Sequence, residues 1–244
     1  GYHRDLHLTV HSFPTRRSSD LPYYADFHFG GLALAHNGNL TNALTLRREL
    51  VERGSLFQST SDTEVVQHLI STSRRNKLLD RIIDALRQIE GAYSLVALSR
   101  RKLIGARDPL GVRPLCIGRL GEAWILASET CALDIIGATL ERNVEPGEIV
   151  VIDADGIKSH QPFPPLAKRF CVFEYIYFAR PDSLVEGRNV YEIRKRIGAE
   201  LARENGIEGD VIVPVPDSGV PAAIGYAAAA KLPFELGLIR SHYV

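Results

Sequence analysis

The chain has 244 residues, 29 basic and 29 acidic side chains and an apolar fraction of 45%, the composition of a globular protein with room for one large domain or two smaller ones. The balanced charge excludes the basic surface that nucleic acid requires, and no apolar run reaches the roughly 20 residues of a membrane-spanning helix. Three scattered cysteines, Cys116, Cys131 and Cys171, exclude a disulfide framework and point to a reducing compartment, with the cytoplasm as the expectation.

The chain contains no methionine, so its first residue is not expected to be the start of its gene. His11 to Leu21, His-Ser-Phe-Pro-Thr-Arg-Arg-Ser-Ser-Asp-Leu, reads like one frame of a sequencing adapter. Residues 1–21 are therefore set aside as a non-native segment expected to be disordered, with natural sequence lost before Pro22. From Gly31 to Ala35 small and apolar residues alternate, which predicts a buried strand. The strand is expected to stop at Asn37-Gly38, since Asn-Gly is a strong turn signal. A carboxamide beside an unhindered glycine N–H is also the pair of donors from which an oxyanion hole is made. His36, next to that pair, reads as a hydrogen-bonded structural residue.

Thr41 or Asn42 then caps a helix with Ala43, Leu46 and Leu50 on one face, stopped by Gly54. Ser61-Asp62-Thr63-Glu64 has the spacing of a capping box, and Val65, Val66, Leu69 and Ile70 continue at helical period. Asp62 stands in the first turn, where the helix dipole favours a carboxylate, and it is a candidate for the pocket of Asn37 and Gly38. A third helix is expected over 78–89. From Gly91 the period changes to two, with strands expected at 92–98, 103–106, 115–117, 123–127 and 148–153. Strands on both sides of helices predict stacked sheets with helices outside. Arg107 to Pro114 and Ser128-Glu129 read as turns and a buried ion pair. Gln161 to Pro165 is a proline-rich linker. Beyond it, Val190, Ile193, Ile197 and Leu201 mark a helix ended by Asn205-Gly206. A strand at 210–215, a turn, an alanine-rich helix at 220–230 and a strand at 234–239 form a βαβ unit, expected to be parallel. Its turn, Asp217-Ser218-Gly219, lies where a phosphate could meet a helix N-terminus.

Ala-His-Asn-Gly-Asn-Leu-Thr-Asn at 35–42, Ser-Thr-Ser-Asp-Thr-Glu at 59–64, Gly-Ala-Tyr at 91–93, Arg-Asp-Pro-Leu-Gly-Val-Arg-Pro-Leu at 107–115 and Ala-Ser-Glu-Thr-Cys-Ala-Leu-Asp at 127–134 together resemble the class II glutamine amidotransferases. Phe-Glu-Tyr-Ile-Tyr-Phe-Ala-Arg-Pro-Asp-Ser at 173–183 resembles the junction segment of the amidophosphoribosyltransferases within that family. The resemblance implies a four-layer αββα sandwich of the N-terminal-nucleophile hydrolase type at 22–165, followed at 166–244 by a linker and the beginning of an α/β type I phosphoribosyltransferase domain. It implies that Asn37 and Gly38 form an oxyanion hole, that Asp62 binds the glutamine ammonium, and that Asp217, Ser218 and Gly219 belong to a pyrophosphate loop.

The chemistry implied is glutamine hydrolysis by an N-terminal cysteine, followed by attack of the ammonia on phosphoribosyl pyrophosphate to give phosphoribosylamine, the first committed step of purine synthesis. Mg²⁺ is implied, with ligands beyond Val244, and so are purine nucleotide inhibitors and a homotetramer. Cys171 stands where some members place a ligand of a four-iron cluster, although one thiolate cannot hold one. Gly1 cannot act as nucleophile, so the chain as given is expected to release no ammonia from glutamine. Two other readings stay open: the amidotransferase domain of an asparagine synthetase, and a non-catalytic module that binds glutamine or a nucleotide.

Overall fold

The computed structural model describes residues 21–241, and the adapter-like segment, Leu21 apart, falls outside the described residues. In chain order these form β1 (Tyr23–Phe27), β2 (Gly30–Leu40), α1 (Ala43–Glu52), α2 (Asp62–Thr72), α3 (Leu78–Leu86), β3 (Gly91–Ser99) and β4 (Leu103–Arg107). There follow β5 (Cys116–Leu120), β6 (Ala123–Ala127), α4 (Thr130–Ile135), β7 (Thr139–Asn143), β8 (Ile149–Asp153) and β9 (Gly156–His160). A π-helix (Glu174–Phe178), the short strands β10 (Leu184–Val185) and β11 (Arg188–Asn189), α5 (Val190–Glu204) and α6 (Val220–Ala230) come last. The chain divides into two compact units, Gly1–Asp108 with Glu148–Pro164 and Pro109–Gly147 with Pro165–Val244.

The first unit is built on a six-stranded antiparallel sheet in the order β1-β2-β3-β4-β8-β9. Leu32 and Leu34 of β2 are fully buried, and Leu40 nearly so, because alternate residues turn one face of the strand to the core. Leu46 and Leu50 of α1, Val65, Val66, Leu69 and Ile70 of α2, and Ile82, Ala85 and Leu86 of α3 complete that core. Removing such side chains from water contributes about 1.5–3 kcal/mol apiece, which is what holds the helices on the sheet.

Two expectations for this unit need correction. β2 does not stop at Asn37-Gly38: it runs on to Leu40, with Asn37 opposite Ser94, Gly38 opposite Tyr93 and Leu40 opposite Gly91. A complete ladder to β3 satisfies the backbone groups that a turn would otherwise satisfy, and it outweighs the preference of the dipeptide. The third helix ends at Leu86, although Ile89 beyond it is still buried.

The caps also differ in detail. Asn42 precedes α1 but does not cap it with its side chain; the amide instead accepts the Glu90 N–H at 2.9 Å and donates to the Gln88 carbonyl at 2.8 Å, pinning the entry to β3. Ser61 does cap α2, accepting the Thr63 N–H at 3.3 Å. Glu64 reaches back past the cap, to the N–H groups of Gln58 and Ser59 at 2.7 and 2.8 Å and to the Ser59 hydroxyl at 2.7 Å. Arg47 donates to the Ser59 carbonyl, and the Tyr23 hydroxyl bonds Ser59 Oγ at 2.6 Å. The loop that delivers Asp62 is therefore tied down from β1, α1 and α2.

The second unit contains a three-stranded antiparallel sheet, β6-β5-β7, on which Leu133 of α4 packs directly over Gly118. A further small core joins Tyr175, Ala179, Val185 and Val190, and α5 lies against α6. A buried ion pair of this unit joins Arg113 and Glu174, at 2.6 Å. Glu129 has a different role, accepting the Arg180 N–H and the Ser183 hydroxyl, each at 2.8 Å. The two strands expected around α6 reduce to a single parallel bridge between Ile212 and Phe234. The parallel direction is as expected, but Val211, Val213 and Val215 are exposed, and two short segments without a covering layer do not sustain a ladder.

Candidate functional site

β2 carries the candidate donors, and its edge decides where they point. In an antiparallel strand the N–H and C=O of one residue face the same side, and the side alternates with each residue. The Thr41 N–H goes to the Glu90 carbonyl at 2.8 Å, toward β3. The Leu40 N–H goes the other way, to Asp62 Oδ2 at 3.0 Å. The backbone groups of Gly38 and His36 share the parity of Leu40, so they face the same outer edge. β1 covers that edge only as far as Leu34, which pairs with Tyr23, and among the described residues no strand pairs with it beyond that point. Two residues of strand put the Gly38 N–H about 7 Å from that of Leu40.

Asp62 is the first residue of α2, and it closes this edge. Its Oδ1 lies 3.2 Å from His36 Nδ1, so both carboxylate oxygens are bound to β2. Burial alone would push the Asp62 carboxyl up; the hydrogen bond and charge of His36, with the N–H groups of Leu40 and Thr63, outweigh it and hold the carboxyl below its ordinary value. The side chain of Asp62 is 22% exposed and that of His36 only 2%. The structure thus brings Asp62 and the Gly38 N–H to one edge. The pleat sends the Asn37 side chain out on the face opposite His36, beside Ser94, one residue from that edge.

Gly38 is a requirement of close packing. A Cβ at this position would stand 2.0 Å from the Ala92 carbonyl oxygen and 2.8 Å from His36 Nε2. Sequence reasoning left His36 and the Leu40 N–H out of the site. The one signal available was the adjacency of His36 to Asn37-Gly38, because its partner is 26 residues away.

Asp217, Ser218 and Gly219 form the loop before α6, in the other unit. The Val220 N–H returns to the Asp217 carbonyl at 3.3 Å, and the exposed Asp217 carboxylate lies 3.3 Å from Arg240. The loop is open to solvent at a helix N-terminus, a place suited to an anion, with Arg240 offsetting the negative charge of Asp217. Cys171 is half-buried, while Cys116 and Cys131 are buried, and all three are free thiols. Burial pushes the Cys116 thiol up to about 11, the behaviour of an inert structural cysteine. Among the described residues no group of three or more His, Cys, Asp or Glu side chains could hold a metal ion. No described helix is long and apolar enough to cross a membrane.

A family model described as a glutamine amidotransferase domain matches residues 12–134. The amidophosphoribosyltransferase of Rhizobium etli is 56% identical over 228 residues, 91% of this chain and 46% of that protein. The chloroplastic amidophosphoribosyltransferase 1 of Arabidopsis thaliana is 53% identical, over 91% of this chain and 40% of its own length. Among solved structures, the glutamine phosphoribosylpyrophosphate amidotransferase of Bacillus subtilis complexed with ADP and GMP superposes with a TM-score of 0.88 at 46% identity, covering 95% of this chain and 51% of that one. The chain spans about half the length of the curated relatives it matches. At that similarity the fold class is the αββα sandwich of the N-terminal-nucleophile hydrolases. The chain belongs to the glutamine amidotransferase family, in the branch whose members are named amidophosphoribosyltransferase.

Proposed function

We propose that the protein releases ammonia from glutamine at the β2 edge and, as part of an amidophosphoribosyltransferase, transfers it to phosphoribosyl pyrophosphate. The observation that carries this is the common edge of Asp62, held at the Leu40 N–H, and the Gly38 N–H, two residues back along the same strand. Glutamine carries a cation at one end of a short stem and a carboxamide at the other. Asp62 takes the ammonium, and the Gly38 N–H with the Asn37 amide takes the carboxamide oxygen as it gains charge.

The nucleophile is the thiol of a cysteine at the amino terminus of the mature protein, a residue not among those described. Its proton passes to the α-amino group of the same cysteine, and sulfur bonds to the carboxamide carbon. The C–N bond breaks as the amino group returns the proton, ammonia leaves, and water hydrolyses the thioester to glutamate. The ammonia nitrogen then bonds to the anomeric carbon of phosphoribosyl pyrophosphate, and pyrophosphate departs with the electron pair of the broken C–O bond. The loop Asp217 to Gly219 is the anion-holding element proposed for that second step. Identity over 91% of the chain, reaching beyond the junction at 173–183, supports this reading over an asparagine synthetase domain. Purine nucleotides as inhibitors and a tetrameric assembly are part of the same proposal.

The test is made on the full-length enzyme, with glutamine and with ammonia as nitrogen source. Asn37→Leu removes one oxyanion donor and is expected to lower the glutamine-dependent kcat by about 10²–10³. Asp62→Asn is expected to raise the KM for glutamine. In both, the ammonia-dependent rate survives. Equal loss of the two rates overturns the residue assignment, and absence of both in the unaltered enzyme overturns the function.

A further inference from the structure

His36 turns a buried ring toward the core while its backbone lies on the open edge of β2. Asp62, as the first residue of α2, has a rotamer choice. The N–H groups at the helix start, that of Thr63 among them, draw its carboxylate toward the helix, whereas His36 and Leu40 draw it onto the strand. An ionised carboxylate only accepts hydrogen bonds, so the proton between His36 Nδ1 and Asp62 Oδ1 belongs to the ring, and this selects the tautomer. The other ring nitrogen, Nε2, is buried with no hydrogen-bond partner among the described residues, packed against the Gly38 backbone. An unpartnered buried nitrogen costs stability, and an apolar side chain would fill the same space without that cost. What a histidine supplies here, and leucine or phenylalanine does not, is the bond to Asp62.

We propose that His36 is a positioning residue whose Nδ1–H holds the Asp62 carboxylate against the strand edge, with its outward lone pairs set for the α-ammonium of the amino-acid substrate. His36 therefore governs recognition of the amino-acid end of glutamine, and the hydrolytic step draws nothing from it. This rests on the glutaminase reading of the site.

The full-length enzyme with His36→Leu is expected to show a KM for glutamine raised roughly ten- to a hundredfold, the worth of one hydrogen bond to a charged group, with kcat changed less than about threefold. His36→Asn places an amide nitrogen where Nδ1 stands and is expected to return the KM to within about threefold of the parent. His36→Gln, whose amide nitrogen reaches the Nε2 position, is expected to leave the KM raised. If His36→Leu does not fold, the Asn and Gln variants decide between them. A second readout is the ratio of binding of glutamine to binding of its analogue without the α-amino group. That ratio is expected to fall by the same factor in His36→Gln and to be kept in His36→Asn. An unchanged ratio in His36→Gln, or equal losses of kcat and affinity in all variants, overturns the proposal. Asp62→Asn separates the two levels: no effect of Asp62→Asn on glutamine KM sinks the reading of the site itself, whereas a large effect there with none in His36→Gln sinks only the role of His36.

Discussion

At Gly38 a hydrogen in place of a methyl group decides whether β2 and β3 can pair. The site for a Cβ is 2.0 Å from the Ala92 carbonyl oxygen, and that oxygen belongs to the ladder and has no rotamer to escape into. Gly38→Ala is therefore expected to cost roughly 3 kcal/mol, at the upper end for overpacking, and chemical denaturation of the variant checks it. The loss is expected to exceed that of Asn37→Ala on the neighbouring half-buried position. Asn37 and Gly38 stood out in the sequence as a carboxamide beside an unhindered N–H, and Asp62 as a first-turn carboxylate; the structure brings Asp62 and the Gly38 N–H to one strand edge. The backbone around them was not: Asn-Gly reads as a turn, and only the partner strand, with Gly91 opposite Leu40, shows that it is not one. His36 was set aside for a similar reason, since nothing local marks a hydrogen bond to a residue 26 positions on.

At the scale of elements, α2 joins the core to the site, and its faces do different work. Val65, Val66, Leu69 and Ile70 bury the helix, while Glu64 and His68 fasten the preceding loop, with the Phe57 ring 4.4 Å from that of His68. Burial pushes the His68 imidazole below its ordinary value and Arg47 adds to this; Glu64 and a carbonyl contact with Leu56 oppose it without prevailing. The folded state therefore prefers His68 neutral. Its contribution is present above about pH 6.5, the unfolded value, and is lost as pH falls through the lower folded value. Unfolding free energies measured from pH 7.5 to 5 are expected to decline more steeply in the parent than in His68→Gln. Asp62 gives the separate window: its lowered carboxyl contributes stability that is lost only in acid, as pH falls through its folded value below about 4. The longer helices and the apolar strands were legible from their period or composition; the six-residue α4 was too short to show one. β1, β7 and β9 were not, because their residues are half-exposed or polar, as in the Thr-Leu-Glu-Arg-Asn of β7. The π-helix carries no period either. Arg194 holds it from α5, through Nε to the Tyr175 carbonyl at 2.6 Å and Nη2 to that of Ala179 at 2.8 Å.

Across the whole molecule, each unit has its own apolar core, and the two are secured differently. The first relies on large aliphatic side chains between helices and sheet. The second brings α5 and α6 together through glycine: a Cβ at Gly198 would stand 1.8 Å from the Ala222 carbonyl oxygen, and one at Gly225 would stand 1.9 Å from that of Lys195. Backbone meets backbone there, so no side chain can move aside, and the alanine-rich surface of α6 offers little apolar area to compensate for a wider separation. Gly198→Ala and Gly225→Ala are each expected to cost about 3 kcal/mol or more in this unit, the upper end of overpacking penalties. Amide hydrogen exchange localises the effect, because it reports opening segment by segment. Faster exchange is expected along α5 and α6, while the amides of β3, deep in the sheet of the first unit, keep the protection they have in the parent. Retained protection in both helices of either variant would show that the crossing relaxes without cost, and the reading of these two glycines as contact points would fail.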